Sequence, residues 1–138
     1  MFFEEDVAVA NYLSILIFAF IGGSGRYLIG QALPVSAGFP WATGIVNLLG
    51  CLVLAWLSHA KRVTAHWPNA VAEGLGIGGI GAFTTFSTFS VDTVRLITQH
   101  QWGLVGGYLG VTLVGGVLCS ALGVWSARKW ATFPVVEK

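Results

Sequence analysis

The sequence GAFTTFSTFS, residues 81–90, decides the fold that this chain is expected to adopt. It places threonine, serine and phenylalanine side chains close together inside a segment that is otherwise apolar. Polar side chains at the depth of a membrane are costly, and they usually mark a permeation path or a binding site. Hydroxyl groups, ring edges and an irregular backbone at one point therefore indicate a site for something small and charged.

The segment before this stretch, residues 74–81, is rich in glycine and has low helix propensity. The threonines and serines that follow compete for backbone hydrogen bonds, so we expect the helix to break between Gly81 and Ser87. A broken helix at membrane depth is tolerated only where it faces protein or a cavity. Its freed carbonyl groups favour a cation, and its freed N–H groups favour an anion.

The composition is that of a membrane protein. Of the 138 residues, 55% are hydrophobic and 9% are charged, whereas soluble domains contain about 25% charged residues. A spanning helix needs about 20 residues, and four apolar segments approach that length: residues 12–33, 41–58, 71–98 and 104–125. We therefore predict one all-α integral membrane domain over residues 1–138, with four transmembrane helices and no soluble part. A cleaved signal peptide is not expected, because acidic rather than basic residues precede the first segment.

Several function classes are disfavoured. The net charge of +1 provides no basic surface for nucleic acid. Cys51 and Cys119 lie within spans, and we favour small apolar packing for them over a metal or redox pair. The three histidines lie in or beside loops and are expected to be solvated. No nucleophile–base pair or pair of carboxylates falls within the spans, so an enzyme is not expected.

Arg26 and Asn47 lie within the first two spans, and each has two interpretations. The long side chain of Arg26 can reach the membrane interface, or its charge can raise the potential at the mouth of an anion pore. Asn47 can hydrogen-bond to a neighbouring helix, or its amide can donate two hydrogen bonds to an anion. The residue pattern leaves these alternatives open.

The third and fourth spans contain the other candidate residues. Phe86 and Phe89 share a face if the second half of the third span is helical. Such a pair is ordinarily core packing, but the positive ring edges can also contact a dehydrated anion. Tyr108 and Thr112 form a mildly polar stripe that can line a path. Gly103 with Gly107, and Gly106 with Gly110, are small-xxx-small pairs typical of close helix contacts. Glu73 and Asp92 are expected towards the ends of the third span, away from the path, where a carboxylate would favour cations.

At these residues the chain resembles the Fluc (CrcB) family of fluoride channels. The family hallmark, Thr-Thr-Phe-Ser-Thr-Phe after a glycine-rich third span, is matched by residues 84–89. Its Gly…Arg-Tyr element resembles residues 22–27, and its Thr-x-x-Val-Asn-x-x-Gly element resembles residues 43–50. The order and spacing agree over essentially the whole chain.

The resemblance implies an antiparallel, dual-topology dimer of four-helix subunits in the bacterial plasma (inner) membrane. It implies passive, selective export of fluoride through two pores between the subunits, which protects the cell against fluoride. A structural sodium ion at the dimer centre would be held by the main-chain carbonyls of Gly81 and Thr84, and Arg26 would lie on the vestibule side. The residues expected along the fluoride pore are Asn47, Phe86, Ser87, Phe89, Tyr108 and Thr112.

The chain departs from the family pattern at four positions. Ala82 follows Gly81 where a second glycine is common, and Gly116 stands where a serine often continues the hydroxyl track. Ala42 replaces a usual glycine, and Asp92 stands where a glutamate is common. None of these changes removes a residue central to the implied mechanism.

The distribution of basic residues bears on the partner. If both termini lie on one side, that side is basic and is predicted to be cytoplasmic. Its basic residues are Lys61, Arg62, Arg128, Lys129 and Lys138, against Arg26 and Arg95 on or near the other side. An antiparallel homodimer requires insertion in both directions, for which only a weak charge bias is expected. Either a homodimer tolerates this bias, which we favour, or the chain pairs with an oppositely oriented homologue.

Two other functions compete with the channel. A small multidrug exporter needs a membrane-embedded glutamate in its first span, whereas this span contains Arg26 and no acid. A non-transporting membrane scaffold fits the glycine-rich helices, but it does not require the concentrated Thr/Ser/Phe stretch.

Overall fold

The chain is built from long helices and one interrupted helical segment. The computed structural model describes residues 2–33 and 38–131, and Lys138, counted above among the basic residues, lies outside them. In those ranges the regular elements are α1 (Phe2–Ala32), α2 (Trp41–His59), α3 (Lys61–Thr64), α4 (Asn69–Glu73), a π-helical segment (Gly74–Ile80), α5 (Gly81–Phe83), α6 (Phe86–Thr98) and α7 (Trp102–Ala131). The prediction of an all-α class is confirmed for the described residues.

Three helices in the described ranges are long and apolar enough to cross a membrane. They cover Val7–Ala32, Trp41–His59 and Trp102–Trp130. The second and third contain the predicted spans 41–58 and 104–125, and the first contains all of the predicted span 12–33 except its last residue. Helix α1 begins at Phe2, whereas its apolar part begins at Val7. Hydropathy detects only the part of a helix that fits the membrane core. The third predicted span, 71–98, is divided among shorter elements, so the count of four spans stays a prediction.

The glycine-rich start of the third segment has low helix propensity. It is nevertheless helical, and it forms a π-helix rather than an α-helix. Its glycines bring two backbones into direct contact. A Cβ on Gly78 would meet the carbonyl of Ile15 in α1, and a Cβ on Gly22 would meet the carbonyl of Gly79. Because no side chain intervenes at these glycines, the backbone of α1 packs directly against the backbone of the π-helical segment.

Helices α2 and α7 form the second packed pair, and they run in the same direction. Leu48 lies against Gly115, and further along both helices the carbonyl of Leu52 lies where a Cβ on Gly123 would be. The Gly103/Gly107 and Gly106/Gly110 pairs were expected to allow close helix contacts, and they make none with the other described helices of this chain. A Cβ on any of these four glycines would meet nothing within 4 Å, because they lie on a face of α7 that points away from α2.

Much of the apolar surface of the chain is exposed. The small buried cluster of Leu96, Val105 and Tyr108 joins α6 to α7, whereas Phe20 is 78% and Phe86 is 79% exposed. In water such a surface would be unfavourable, so lipid or a partner chain is expected to cover it. Exposed tryptophans at both ends of the α2–α7 pair are typical of membrane interfaces: Trp41 and Trp102 at one end, Trp125 and Trp130 at the other.

Candidate functional site

The interrupted segment breaks at Thr84 and Thr85, inside the predicted window of residues 81–87, so that prediction is confirmed. Thr84 has φ −78° and ψ 159°, and Thr85 has φ −151° and ψ 123°, which are extended values between two helical turns. Helix α6 restarts because Thr85 caps it: the Thr85 Oγ1 accepts a hydrogen bond of 3.1 Å from the backbone N–H of Thr88. Thr84 and Thr85 are therefore residues of the break itself.

Asn47 of α2 holds this break with both ends of its carboxamide. The Asn47 Oδ1 accepts a hydrogen bond of 2.8 Å from the Thr85 N–H, and the Asn47 Nδ2 donates one of 3.0 Å to the Thr85 carbonyl. Gly50 lies one turn further along the same face of α2, and a Cβ there would meet the Thr84 Cγ2. In the Asn-x-x-Gly spacing, Gly50 thus lets α2 approach the break closely, and the Asn47 amide can then reach the backbone of Thr85.

Arg26 of α1 also contacts the break. Its Nη1 donates a hydrogen bond of 3.3 Å to the carbonyl of Thr84, so the half-buried guanidinium lies among α1, α2 and the break. Thr43, Thr85 and Thr88 line the same small cavity as Arg26, which has a volume of about 140 Å³. Neither interpretation of Arg26 from the sequence included this contact with a main-chain carbonyl.

A larger cavity of about 330 Å³ brings four of the six predicted pore residues together. Asn47 and Thr112 are among the residues of its wall, and Phe86 and Phe89 contribute aromatic rings. The Thr112 Oγ1 is itself buried behind this wall and has no hydrogen-bond partner among the described residues, so it is an unsatisfied polar atom next to the cavity.

The remaining two predicted pore residues do not line this cavity. The Ser87 hydroxyl lies 3.2 Å from the Thr85 Oγ1, beside the cap of α6. Tyr108 is fully buried, with its ring between two others: the centroid distances are 5.2 Å to Phe89 and 5.6 Å to Phe39. Phe86 and Phe89 lie on one face of α6, as predicted, with their centroids 5.9 Å apart.

The expectation that carboxylates lie away from these residues is wrong for Asp92. The Asp92 Oδ2 accepts a hydrogen bond of 2.7 Å from the Thr43 hydroxyl and one of 3.5 Å from the Tyr108 hydroxyl. Asp92 follows Phe89 by three residues, so the helical repeat places both on one face of α6. That spacing is the signal that was missed, since the position was judged only by its distance from the end of the span.

The expected cation ligands, the carbonyls of Gly81 and Thr84, differ in their partners. In a continuous helix the N–H of Thr85 would donate to the carbonyl of Gly81, but here it donates to Asn47. The carbonyl of Gly81 therefore lacks that helical donor, while the carbonyl of Thr84 accepts from Arg26. Main-chain carbonyls at a helix break are the oxygen donors that suit a sodium ion, so these groups fit in kind, although the guanidinium opposes a cation at Thr84.

The cysteines and histidines form no site in the part of the chain that the structure describes. Cys51 and Cys119 are free thiols, and Cys51 lines the larger cavity. The His59 Nδ1 lies 2.9 Å from the carbonyl of Ala55, within its own helix. No group of three or more His, Cys, Asp or Glu side chains arranged to hold a metal ion is found among the described residues.

Comparison with known proteins identifies relatives over most of the chain. The sequence profile of the family described as "CrcB-like protein, Camphor Resistance (CrcB)" matches residues 13–124. The "Fluoride-specific ion channel FluC 1" of Latilactobacillus sakei subsp. sakei is 45% identical over 126 residues, which cover 91% of this chain and 89% of the relative. The protein of the same name from Bacillus cereus is 40% identical and covers 86% and 84% of the two chains. "Fluoride-specific ion channel FluC 2" of Geobacillus kaustophilus is 34% identical and covers 85% and 92%.

Proposed function

The chain belongs to the CrcB family, and from this premise we propose that it is a fluoride-selective channel through which fluoride leaves the cytoplasm passively. Its curated relatives are ion channels by name rather than enzymes. The single observation that supports the assignment within this chain is the cavity of about 330 Å³. Among the described residues of its wall are an asparagine amide, three threonines and two phenylalanine rings, and none of them is a carboxylate.

The chemistry of this wall suits fluoride. Fluoride is small and strongly hydrated, so a selective path must replace its water with hydrogen-bond donors and positive ring edges. The Thr112 hydroxyl has no partner in the described structure, and one N–H bond of the Asn47 amide remains after the other is donated to Thr85. Phe86 and Phe89 contribute two aromatic rings to the same cavity wall.

Asp92 is compatible with an anion path because its Oδ2 is engaged by two hydroxyl groups. Hydrogen bonds to a carboxylate stabilise and disperse its charge. Tyr108 links this carboxylate to Phe89, and we propose that Tyr108 and Thr112 continue the path along α7. Ser87 would supply a hydroxyl group near its start.

We propose that the pore is completed by a second, oppositely oriented subunit. The exposure of Phe86 and the uncovered glycine face of α7 support this, because no part of the same chain packs against either surface in the described structure. A second copy of the chain is favoured over a homologue. The membrane is proposed to be a bacterial plasma membrane, with the basic ends of α2 and α7 in the cytoplasm for one orientation.

A sodium ion at the centre of such a dimer would be held by the carbonyls of Gly81 and Thr84 from both subunits. It would supply fixed positive charge and neutralise carbonyl groups that the helix break leaves without helical donors. In this proposal Arg26 bonds to the Thr84 carbonyl from the vestibule side, and sodium itself is not transported.

Fluoride efflux from liposomes tests the function. Purified protein in liposomes should release fluoride rapidly, and chloride should be retained. Phe86→Ile should slow fluoride release by about tenfold or more, because losing a ring contact of about 1.4 kcal/mol corresponds to tenfold. Phe20→Ile is the matched control, since Phe20 is equally exposed, at 78% against 79%, and does not line the cavity. Absence of fluoride release from liposomes that hold folded protein, or equal effects of the two substitutions, would contradict the proposal.

A further inference from the structure

Asn47 was expected either to hydrogen-bond to a neighbouring helix or to bind an anion, and its hydrogen bonds go to the backbone of the neighbouring interrupted segment. Both ends of its carboxamide are bonded to a single residue, Thr85, through hydrogen bonds of 2.8 and 3.0 Å. The orientation of the amide follows from this pairing, because a backbone N–H can only donate and a backbone carbonyl can only accept. Asn47 therefore bonds to the break as a neighbouring β-strand residue would.

This pairing decides what happens to the carbonyl of Gly81. Helix α5 ends at Phe83, and the Thr84 N–H still donates to the carbonyl of Ile80 at 2.9 Å. The next N–H, that of Thr85, would continue the helix by donating to Gly81, but Asn47 accepts it instead. The helical hydrogen-bond ladder is thus interrupted first at Gly81, and the acceptor that interrupts it is a side chain of α2.

We propose that Asn47 is a positioning residue that couples the two sites of the protein. Its Oδ1 withdraws the Thr85 N–H from Gly81 and so keeps the Gly81 carbonyl available for a cation. Its Nδ2 holds the Thr85 carbonyl and so sets the start of α6, which carries Phe86 and Phe89. The inference rests on the proposed function for the identity of the cation and the anion.

The alternatives predict different effects of substitution. If Asn47 acted only as an anion donor, its removal would slow fluoride and leave a cation site at Gly81 unchanged. If Asn47 holds the break, removing it lets the Thr85 N–H return to the carbonyl of Gly81, and cation binding is lost together with conduction. Asp at this position keeps an acceptor for the Thr85 N–H, loses the donor to the Thr85 carbonyl and, when ionised, adds a negative charge.

The test is thermal unfolding of the purified full-length protein in detergent, in sodium chloride and in N-methyl-D-glucamine chloride. Sodium binding to the folded state should raise the melting temperature of the wild type. The sodium-dependent rise should be lost in Asn47→Ala and retained in Asn47→Asp. It should also be retained in Phe86→Ile, the control that alters the path and leaves the break intact.

Each outcome decides the inference. A normal sodium effect in Asn47→Ala, or its loss in Asn47→Asp, would overturn the positioning role. If Asn47→Ala does not fold, Asn47→Asp alone decides. A wild type without a sodium effect would overturn the inference and the sodium proposal together. Fluoride efflux, measured on the same wild-type preparation, reports separately on whether the protein is a channel.

Discussion

The α2–α7 pair and the interrupted segment, residues 69–98, are both built from glycine, apolar side chains and hydroxyl groups, yet they are held together differently. In the pair, the backbone hydrogen bonds stay within each helix, and glycines such as Gly123 only make room for the neighbouring helix. In the segment, side chains from two other helices, Asn47 and Arg26, bond to the backbone at the break. The pair is therefore sensitive to volume, and the break is sensitive to hydrogen bonding.

The largest expected effect is on packing in the α2–α7 pair. A Cβ at position 123 would lie too close to the carbonyl of Leu52 and to Ala55, whereas a Cβ at position 23, inside α1, would meet nothing within 4 Å of it in the chain. Gly→Ala raises helix propensity at both helix-interior positions, so the difference between Gly123→Ala and Gly23→Ala isolates the clash. We expect Gly123→Ala to be less stable by about 1–3 kcal/mol.

Chemical or thermal unfolding in detergent, followed by circular dichroism, measures this difference. Equal stabilities of the two variants would show that α2 and α7 do not pack at Gly123 as described. A loss of stability confined to Gly23→Ala would also contradict the described packing of α2 against α7.

A smaller effect is expected for the cap of the break. Thr85→Val keeps the shape of the side chain and removes the Oγ1 that accepts from Thr88, which should destabilise the protein by about 0.5–2 kcal/mol. Thr98→Val is the control, because the Thr98 hydroxyl donates within α6 at its exposed end. Thr85→Ser should restore the stability that Thr85→Val loses. If Thr85→Val unfolds at the same temperature as the wild type, the threonine does not cap α6.

The smallest effect on stability is expected for Thr112, whose hydroxyl group is buried and unpaired in the described structure. Thr112→Val replaces it by a methyl group, so stability should change by less than about 1 kcal/mol or even rise. Fluoride efflux should nevertheless slow if this hydroxyl lines the path. Thr93→Val is the matched control, since the Thr93 Oγ1 donates to the carbonyl of Phe89 over 2.8 Å. A loss of stability in Thr112→Val without a change in efflux would refute this role.

The position of the break was predictable because its causes are local. The run of glycines and the dense hydroxyl groups of residues 81–90 weaken a helix wherever they occur, and the break lies at Thr84 and Thr85. The π-helical form of residues 74–80 was not predictable from propensity. It accompanies backbone contact with α1, at Gly22 and Gly78, and such contacts depend on residues distant in sequence.

The site was predictable in its residue types and less so in its arrangement. Six residues were expected along one path. Four of them line one cavity, namely Asn47, Phe86, Phe89 and Thr112, and Ser87 and Tyr108 do not; the role of these residues in a pore stays a prediction. Asp92 was misjudged because distance along a span says little about the face of a helix, and its bonds to Thr43 and Tyr108 come from other helices. The small-xxx-small pairs of α7 stay a prediction, since a glycine stripe indicates close contact but does not say with which surface.

The sequence by itself determined that this chain is helical, apolar throughout and interrupted at one hydroxyl-rich point. Those properties follow from composition and from interactions between residues a few positions apart. Only the tertiary structure decided which groups serve the interruption: the carboxamide of Asn47 and the guanidinium of Arg26, which reach it from helices 38 and 58 residues away in the chain. A backbone group that loses its helical partner must find another, and which partner is near depends on how the helices pack.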